Sequence, residues 1–191
     1  MLGECPGPNC ICTGVACQCA NGENCALDCD TLGVGCSLDC NGGSCDTSCE
    51  RDCAADCSGS VCTGELGVDT DVLCTMMSTC ELGVGNDGDI DCIDSDCTIE
   101  AGREADVECR DESQCTITAQ GDSDLECVGS ECAFSVGGGS SVQCTAGATC
   151  TVVCTAGCEL DCEGAEACTI QCAGDAEPRT VEGEATCGGG A

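Results

Sequence analysis

Two residue types stand at spacings that could do chemistry here, carboxylates and cysteines. Counting from Cys62, Cys80, Cys97 and Cys115, the seventh residue on is Asp69, Asp87, Glu104 and Asp122, and the ninth is Asp71, Asp89, Asp106 and Asp124. The eleventh is Asp91, Glu108 and Glu126 in the last three of these. Such a grid offers hard oxygen ligands, and Ca2+ suits it best because that ion accepts about 6–8 oxygens in flexible geometry. Three other readings of the grid stand beside this one: a solvated, repulsive surface that keeps the protein soluble, the docking face of a basic protein, and contact with a mineral. The segment GVGNDGDID, residues 83–91, has the glycine and aspartate content of calcium turns but no repeated nonapeptide signature.

Paired carboxylates also hydrolyse glycosides, but such sites sit in clefts built by long loops and aromatic platforms. The chain has one Phe and no Trp or Tyr. It also has no His and no Lys, which removes the usual general base and the Schiff-base amine. The expectation is a protein that is not an enzyme and carries no organic cofactor.

Cysteine fills 30 of the 191 positions, a share that marks either a disulfide scaffold from an oxidising compartment or a metal-thiolate protein. Cys10/Cys12 and Cys17/Cys19 are C-x-C pairs, yet consecutive cysteines never stand three apart, so the C-x-x-C element of structural zinc sites is missing. The count is even, and neither His nor Lys is present to activate a thiol. Disulfides are therefore expected, and with them a secreted or cell-surface location. The start, MLGECPGPNC, lacks the basic and apolar regions of a signal peptide, so the numbering is expected to begin near a mature N-terminus.

The elements that must position these groups follow from the cysteine intervals. From Cys40 to Cys168 a step of five or six residues alternates with a step of twelve, as in Cys45 to Cys57, Cys80 to Cys92 and Cys132 to Cys144. Along each long step the apolar residues recur at period two, the signature of a strand. Leu82, Ile99, Ile117, Phe134, Val152 and Ile170 come two after the cysteine, and Val72, Ile90, Val107, Leu125, Val142 and Leu160 come two before the next. Gly67, Gly85, Gly102 and Gly137 mark a corner.

The pattern predicts an all-β fold, a disulfide-stapled β-solenoid (parallel β-helix) of about nine coils of 17–18 residues over residues 19–172. Residues 1–18 are expected to form an irregular N-terminal cap and 173–191 an irregular C-terminal cap or tail. The simplest pairing closes the short steps: Cys57 with Cys62, Cys74 with Cys80, Cys92 with Cys97, Cys109 with Cys115, Cys127 with Cys132, Cys144 with Cys150, and Cys162 with Cys168. Extra cysteines at Cys49, Cys53, Cys154 and Cys158 fall in coils near the two ends, where staples would prevent fraying.

With 36 acidic residues against four Arg, the net charge is −32, which repels nucleic acid and anionic membranes. No apolar run is long enough for a transmembrane helix, so no membrane insertion is expected. Divalent cations, and self-association into filaments or a surface layer, are the expected partners.

A second outward column carries Thr63, Thr98, Thr116, Thr118, Thr151 and Thr169. With the segment CTAGATCTVVC, residues 144–154, it resembles the Thr-Cys-Thr coils of insect hyperactive antifreeze proteins, which are disulfide-bridged solenoids. The resemblance implies that a flat threonine array binds ice. The departures are Glu81 and Ala133, which interrupt the column, and coils longer than that family's.

Overall fold

The computed structural model describes residues 10–13, 15–19, 22–29 and 35–188, so the first nine residues of the expected N-terminal cap and the last three of the expected tail lie outside it. The described chain is all β. No helix in it is long and apolar enough to cross a membrane.

Alternation of small apolar and polar residues gives short strands, and each coil contributes one strand to each of two walls. The first wall stacks β2 (Ala16–Cys19), the first half of β4 (Ser37–Arg51), the first half of β5 (Ala54–Val68), β6 (Asp71–Thr75), β8 (Asp89–Ile93), β10 (Asp106–Arg110), β12 (Asp124–Val128), β14 (Ser140–Thr145) and β16 (Cys158–Asp161). The second wall stacks β3 (Asn24–Asp28), the second halves of β4 and β5, β7 (Thr79–Val84), β9 (Asp96–Ala101), β11 (Gln114–Ala119), β13 (Glu131–Val136), β15 (Thr149–Cys154) and β17 (Ala167–Cys172). Neighbours within a wall are parallel and in register, and among the described residues each wall stacks nine strands, one per coil.

The ends are built differently. β1 (Cys10–Thr13) lies antiparallel on β2, while β18 (Arg179–Thr180) and β19 (Glu184–Cys187) lie antiparallel on β17 and β16. Reversed strands at a stack's ends use up backbone groups that would otherwise be open for pairing with another chain.

The core lies between the walls. All the aliphatic positions picked out by the period of two are buried, and so is the one aromatic, Phe134. Between the two rows runs a column of nine disulfides that closes the short step of every coil: Cys19–Cys25, Cys40–Cys45, Cys57–Cys62, Cys74–Cys80, Cys92–Cys97, Cys109–Cys115, Cys127–Cys132, Cys144–Cys150 and Cys162–Cys168. Among the described residues the opposite corner has bridges only near the ends, Cys29–Cys36 and Cys49–Cys53 at one and Cys154–Cys158 and Cys172–Cys187 at the other. In the middle coils that corner is filled by Leu66, Val84, Ala101, Ala119 and Val136.

Corners need backbone that breaks the strand, and two devices supply it. In the middle coils the short steps of five from Cys57, Cys92 and Cys127 carry one left-handed residue, Gly59, Asp94 and Gly129, whereas the steps of six from Cys74, Cys109 and Cys144 carry two, Met76/Met77, Asp111/Glu112 and Ala146/Gly147; nearer the ends the step of five from Cys40 carries Gly42 and Gly43, and the step of six from Cys162 carries Gly164. At the other corner a Cβ on Gly137 would fall 1.8 Å from the Gln120 carbonyl oxygen of the coil stacked against it. Backbone atoms cannot rotate away as a side chain can, so close stacking requires glycine there.

A buried serine ladder satisfies the polar groups that the short corner frees. The Ser113 hydroxyl has the carbonyls of Arg110 (2.7 Å) and Cys92 (3.0 Å) in reach of its one hydrogen, and its oxygen accepts the Ser95 N–H at 3.2 Å. Ser130 accepts in turn from the Ser113 N–H at 3.2 Å, and Ser78 accepts from Ser60. Each hydroxyl thus ties its own turn to the coil beside it. Among the described residues no buried side-chain nitrogen or oxygen is left without a partner.

Candidate functional site

The first wall carries the acids. Parallel register places Asp71, Asp89, Asp106 and Asp124 directly beside one another on β6, β8, β10 and β12. The next outward position holds Asp91, Glu108 and Glu126 side by side. The first column is exposed and the second half-buried. These seven residues form one continuous face because residues two apart on a strand point to the same side.

The second column is longer than the sequence reading made it. It continues through Leu73 to Asp56 and Asp39, and through Gln143 to Asp161. The missed signal is an acid immediately before the cysteine that opens a coil, at Asp39, Asp56 and Asp161 as at Asp91, Glu108 and Glu126. Asp39 is held by Gln18 and Asn41, whose amide nitrogens donate to it at 2.5 and 3.1 Å. A depression in this wall brings Asp56, Asp71, Asp89 and Asp91 around Leu73.

Asp69, Asp87, Glu104 and Asp122 occupy the corner beside this face, and all four have positive φ, between 55° and 57°. Their N–H groups donate to carbonyls of the neighbouring coil, for example Asp87 to Arg103 O at 3.0 Å and Asp122 to Gly138 O at 3.0 Å. Aspartate is among the few side chains that enter this conformation readily, which suits Asp69, Asp87 and Asp122 to the corner, and Glu104 adopts the same turn.

Two arginines relieve the charge locally. Arg110 Nη1 donates to Glu108 at 2.9 Å and Nη2 lies 3.9 Å from Asp91, while Arg103 pairs with Asp122 across coils. At the usual strand spacing of ~4.8 Å, adjacent carboxylates repel by about 0.9 kcal/mol even at the dielectric of water. The consequence is visible in protonation. Partial burial pushes the Asp89 carboxyl above its ordinary range, and the charges of Asp106, Asp91 and Asp71 push it further. Glu108 is raised mainly by burial, with Arg110 opposing and Asp91 and Glu126 adding, and Asp56 is raised by burial and by Asp39.

A carboxyl whose pKa is higher in the fold than in the open chain binds its proton more tightly when folded. The stability it confers is complete below the unfolded value and is lost as pH rises through the folded one. The rod is therefore expected to melt at a higher temperature in mildly acidic buffer than at neutral pH. Differential scanning calorimetry across the carboxylate range checks this, and a melting temperature that falls steadily on mild acidification would contradict it.

The second wall carries the threonines. Thr98 lies beside Thr116, and Thr151 beside Thr169 with their Oγ1 atoms 3.4 Å apart. Glu81 separates Thr63 from Thr98 in the same column, Ala133 separates Thr116 from Thr151, and Thr118 stands in the adjacent column beside Glu100 and Ser135. Thr98, Thr116, Thr118 and Thr151 are exposed, and Thr63 and Thr169 are half-buried.

The chain matches no family model, no curated protein and no solved structure. The disulfide-rich solenoid of short coils thus stands on its own geometry.

Proposed function

We propose that this chain is a non-enzymatic structural protein of an oxidising, extracellular setting, a stiff acidic rod that serves as a spacer, coat component or filament subunit. The observation that supports this reading is the unbroken column of nine disulfides, which places covalent cross-linking in every coil. Bridges at this density persist where the surroundings are oxidising, and many of them fit a secreted protein. Their cost in sequence is spread along the whole molecule, as expected when shape itself is the product.

Divalent cations complete the reading. Calcium on the acidic wall would screen the seven in-register carboxylates from one another and let like-charged rods lie side by side in a filament or layer. A ligand that binds only the folded state stabilises by mass action, by about 2.7 kcal/mol at a hundredfold excess over Kd. Melting is therefore expected to shift upward with calcium and back with EGTA. Superimposable melting curves would remove the cation from the proposal and leave an uncomplexed acidic rod.

A second reading, ice binding by the threonine wall, draws on the in-register pairs Thr98/Thr116 and Thr151/Thr169. Glu81 and Ala133 break the array into pairs, which favours the structural reading. Thermal hysteresis in a freezing assay is the observation that would reverse the order of the two.

A further inference from the structure

The short corner of the coil that opens at Cys74 differs chemically from its neighbours. Its tip carries Met76 and Met77, where the tips on either side carry Gly59 and Asp94 and the other six-residue steps of the middle coils carry Asp111/Glu112 and Ala146/Gly147. Both methionines are left-handed, with φ of 57° and 61°. That conformation favours glycine and aspartate, and nothing in a methionine side chain eases it. The turn gives no reason for thioethers at these two positions, so the reason lies in what the side chains do.

Those side chains stand in solvent. Met77 is 80% exposed and Met76 67%, so neither fills a gap in the core as methionine commonly does. The backbone beneath them is held by groups other than their sulfurs. The Met77 N–H donates to the Asp94 carbonyl at 2.6 Å, and the Ser78 hydroxyl has the carbonyls of Thr75 (2.6 Å) and Cys57 (2.9 Å) in reach of its hydrogen. The cysteine sulfurs of this coil and of the two beside it are shut away in the buried bridges Cys57–Cys62, Cys74–Cys80 and Cys92–Cys97. One contact distinguishes the two thioethers: the Ser58 hydroxyl of the preceding coil donates to Met76 Sδ at 3.3 Å and engages one of its lone pairs.

We propose that Met76 and Met77 form a two-step sulfoxidation site for hydrogen peroxide, in which Met77 takes the first oxygen and Ser58 holds Met76 back. In each step a thioether lone pair attacks one oxygen of the peroxide. The S–O bond forms and the O–O bond breaks. The thioether is oxidised by two electrons to the sulfoxide, and the other peroxide oxygen leaves with both protons as water. A lone pair already engaged by a hydroxyl is a poorer nucleophile, which sets the order. Sulfoxides disrupt cores because they are polar, but these two side chains lie outside the core and face solvent. The turn keeps its shape because its hydrogen bonds run through the Met77 N–H and the Ser78 hydroxyl. Oxidant is thus consumed at one seam, which gains polarity while the rod stays folded, whatever structural role the rod serves.

The test adds hydrogen peroxide to the folded protein together with N-acetylmethionine amide as an internal standard. Fragmentation mass spectrometry of the digested chain follows Met76 and Met77 singly and apart from Met1. Met77 is expected to be oxidised as fast as the standard and Met76 more slowly, with the sheet dichroism unchanged once both are sulfoxides. Survival of Met77 after the standard is consumed, or loss of the sheet signal as oxygen is taken up, would overturn the site. In Ser58→Ala, Met76 is expected to react as fast as Met77, and an undiminished lag would overturn the two-step order. Replacing both residues, Met76→Leu with Met77→Leu, keeps their bulk and is expected to abolish oxygen uptake in this peptide. Oxygen appearing on the neighbouring cysteines of the unaltered protein ahead of the methionines would reject the corner as the target.

Discussion

Complete reduction of the disulfides at neutral pH is expected to abolish the β-sheet circular dichroism of this protein without heating or denaturant. The magnitudes decide it. In the chain-entropy account each bridge closing a loop of this size is worth roughly 2 kcal/mol, so the nine in the column sum to about 20 kcal/mol. A domain typically has a net stability of only about 5–15 kcal/mol. The apolar side chains between the rungs are mostly Val, Ile, Leu and Ala, so little large hydrophobic area remains to compensate. The measurement is far-ultraviolet dichroism during titration with a small thiol, with the number of reduced cysteines counted by mass. A sheet signal that survives full reduction would refute the claim that the cross-links hold the fold.

Phe134→Ala is expected to be the most damaging single truncation in the core, costing about 3–5 kcal/mol. The side chain is fully buried on β13, with Ile117 of β11 on one side and Val152 of β15 on the other. A rod one pair of strands thick has no second layer to collapse into the void. The loss corresponds to a fall in melting temperature of roughly 10 °C for a chain of this length. The exposed neighbour position Val153 provides the comparison, since Val153→Ala removes little buried area and is expected to stay within about 0.5 kcal/mol. Equal effects of the two substitutions in a denaturant series would show that the core is not packed as described.

The walls were legible in the sequence because they depend on two regularities that survive in one dimension. The constant step of twelve fixes where a coil returns, and the period of two fixes which side chains go inward, so Ile99, Ile117, Val107 and Leu125 could be placed in the core by counting. The acid face was legible for the same reason. Its longer column was cut short because the count covered only the coils from Cys62, Cys80, Cys97 and Cys115; Asp56 is likewise eleventh after Cys45 and Asp161 eleventh after Cys150, while Asp39 precedes the first step of twelve.

The corners make backbone demands that a strand period does not express. Asp69, Asp87, Glu104 and Asp122 stand in the acidic grid by count, and what the count did not show is that positive φ turns the chain at each of them. The serine ladder also escaped, although Ser60, Ser78, Ser95, Ser113 and Ser130 each stand two residues before a cysteine. Their burial depends on hydrogen bonds to another coil, which no local pattern encodes. The antiparallel strands at the two ends lie outside the period altogether.

In the middle coils, from Cys57 to Cys150, the alternation of one and two left-handed residues at the short corner acts as an expansion joint. A turn holds a step of five or of six residues under the same kind of bridge while both walls keep their phase, as between the Cys92–Cys97 and Cys109–Cys115 coils. Single-residue insertions are thereby absorbed at one seam and never reach the faces. Duplication or loss of a coil would then change the reach of the molecule by a fixed quantum of about 4.8 Å. Its size is a tally of identical units, which makes it a natural gauge for setting a distance between two other bodies.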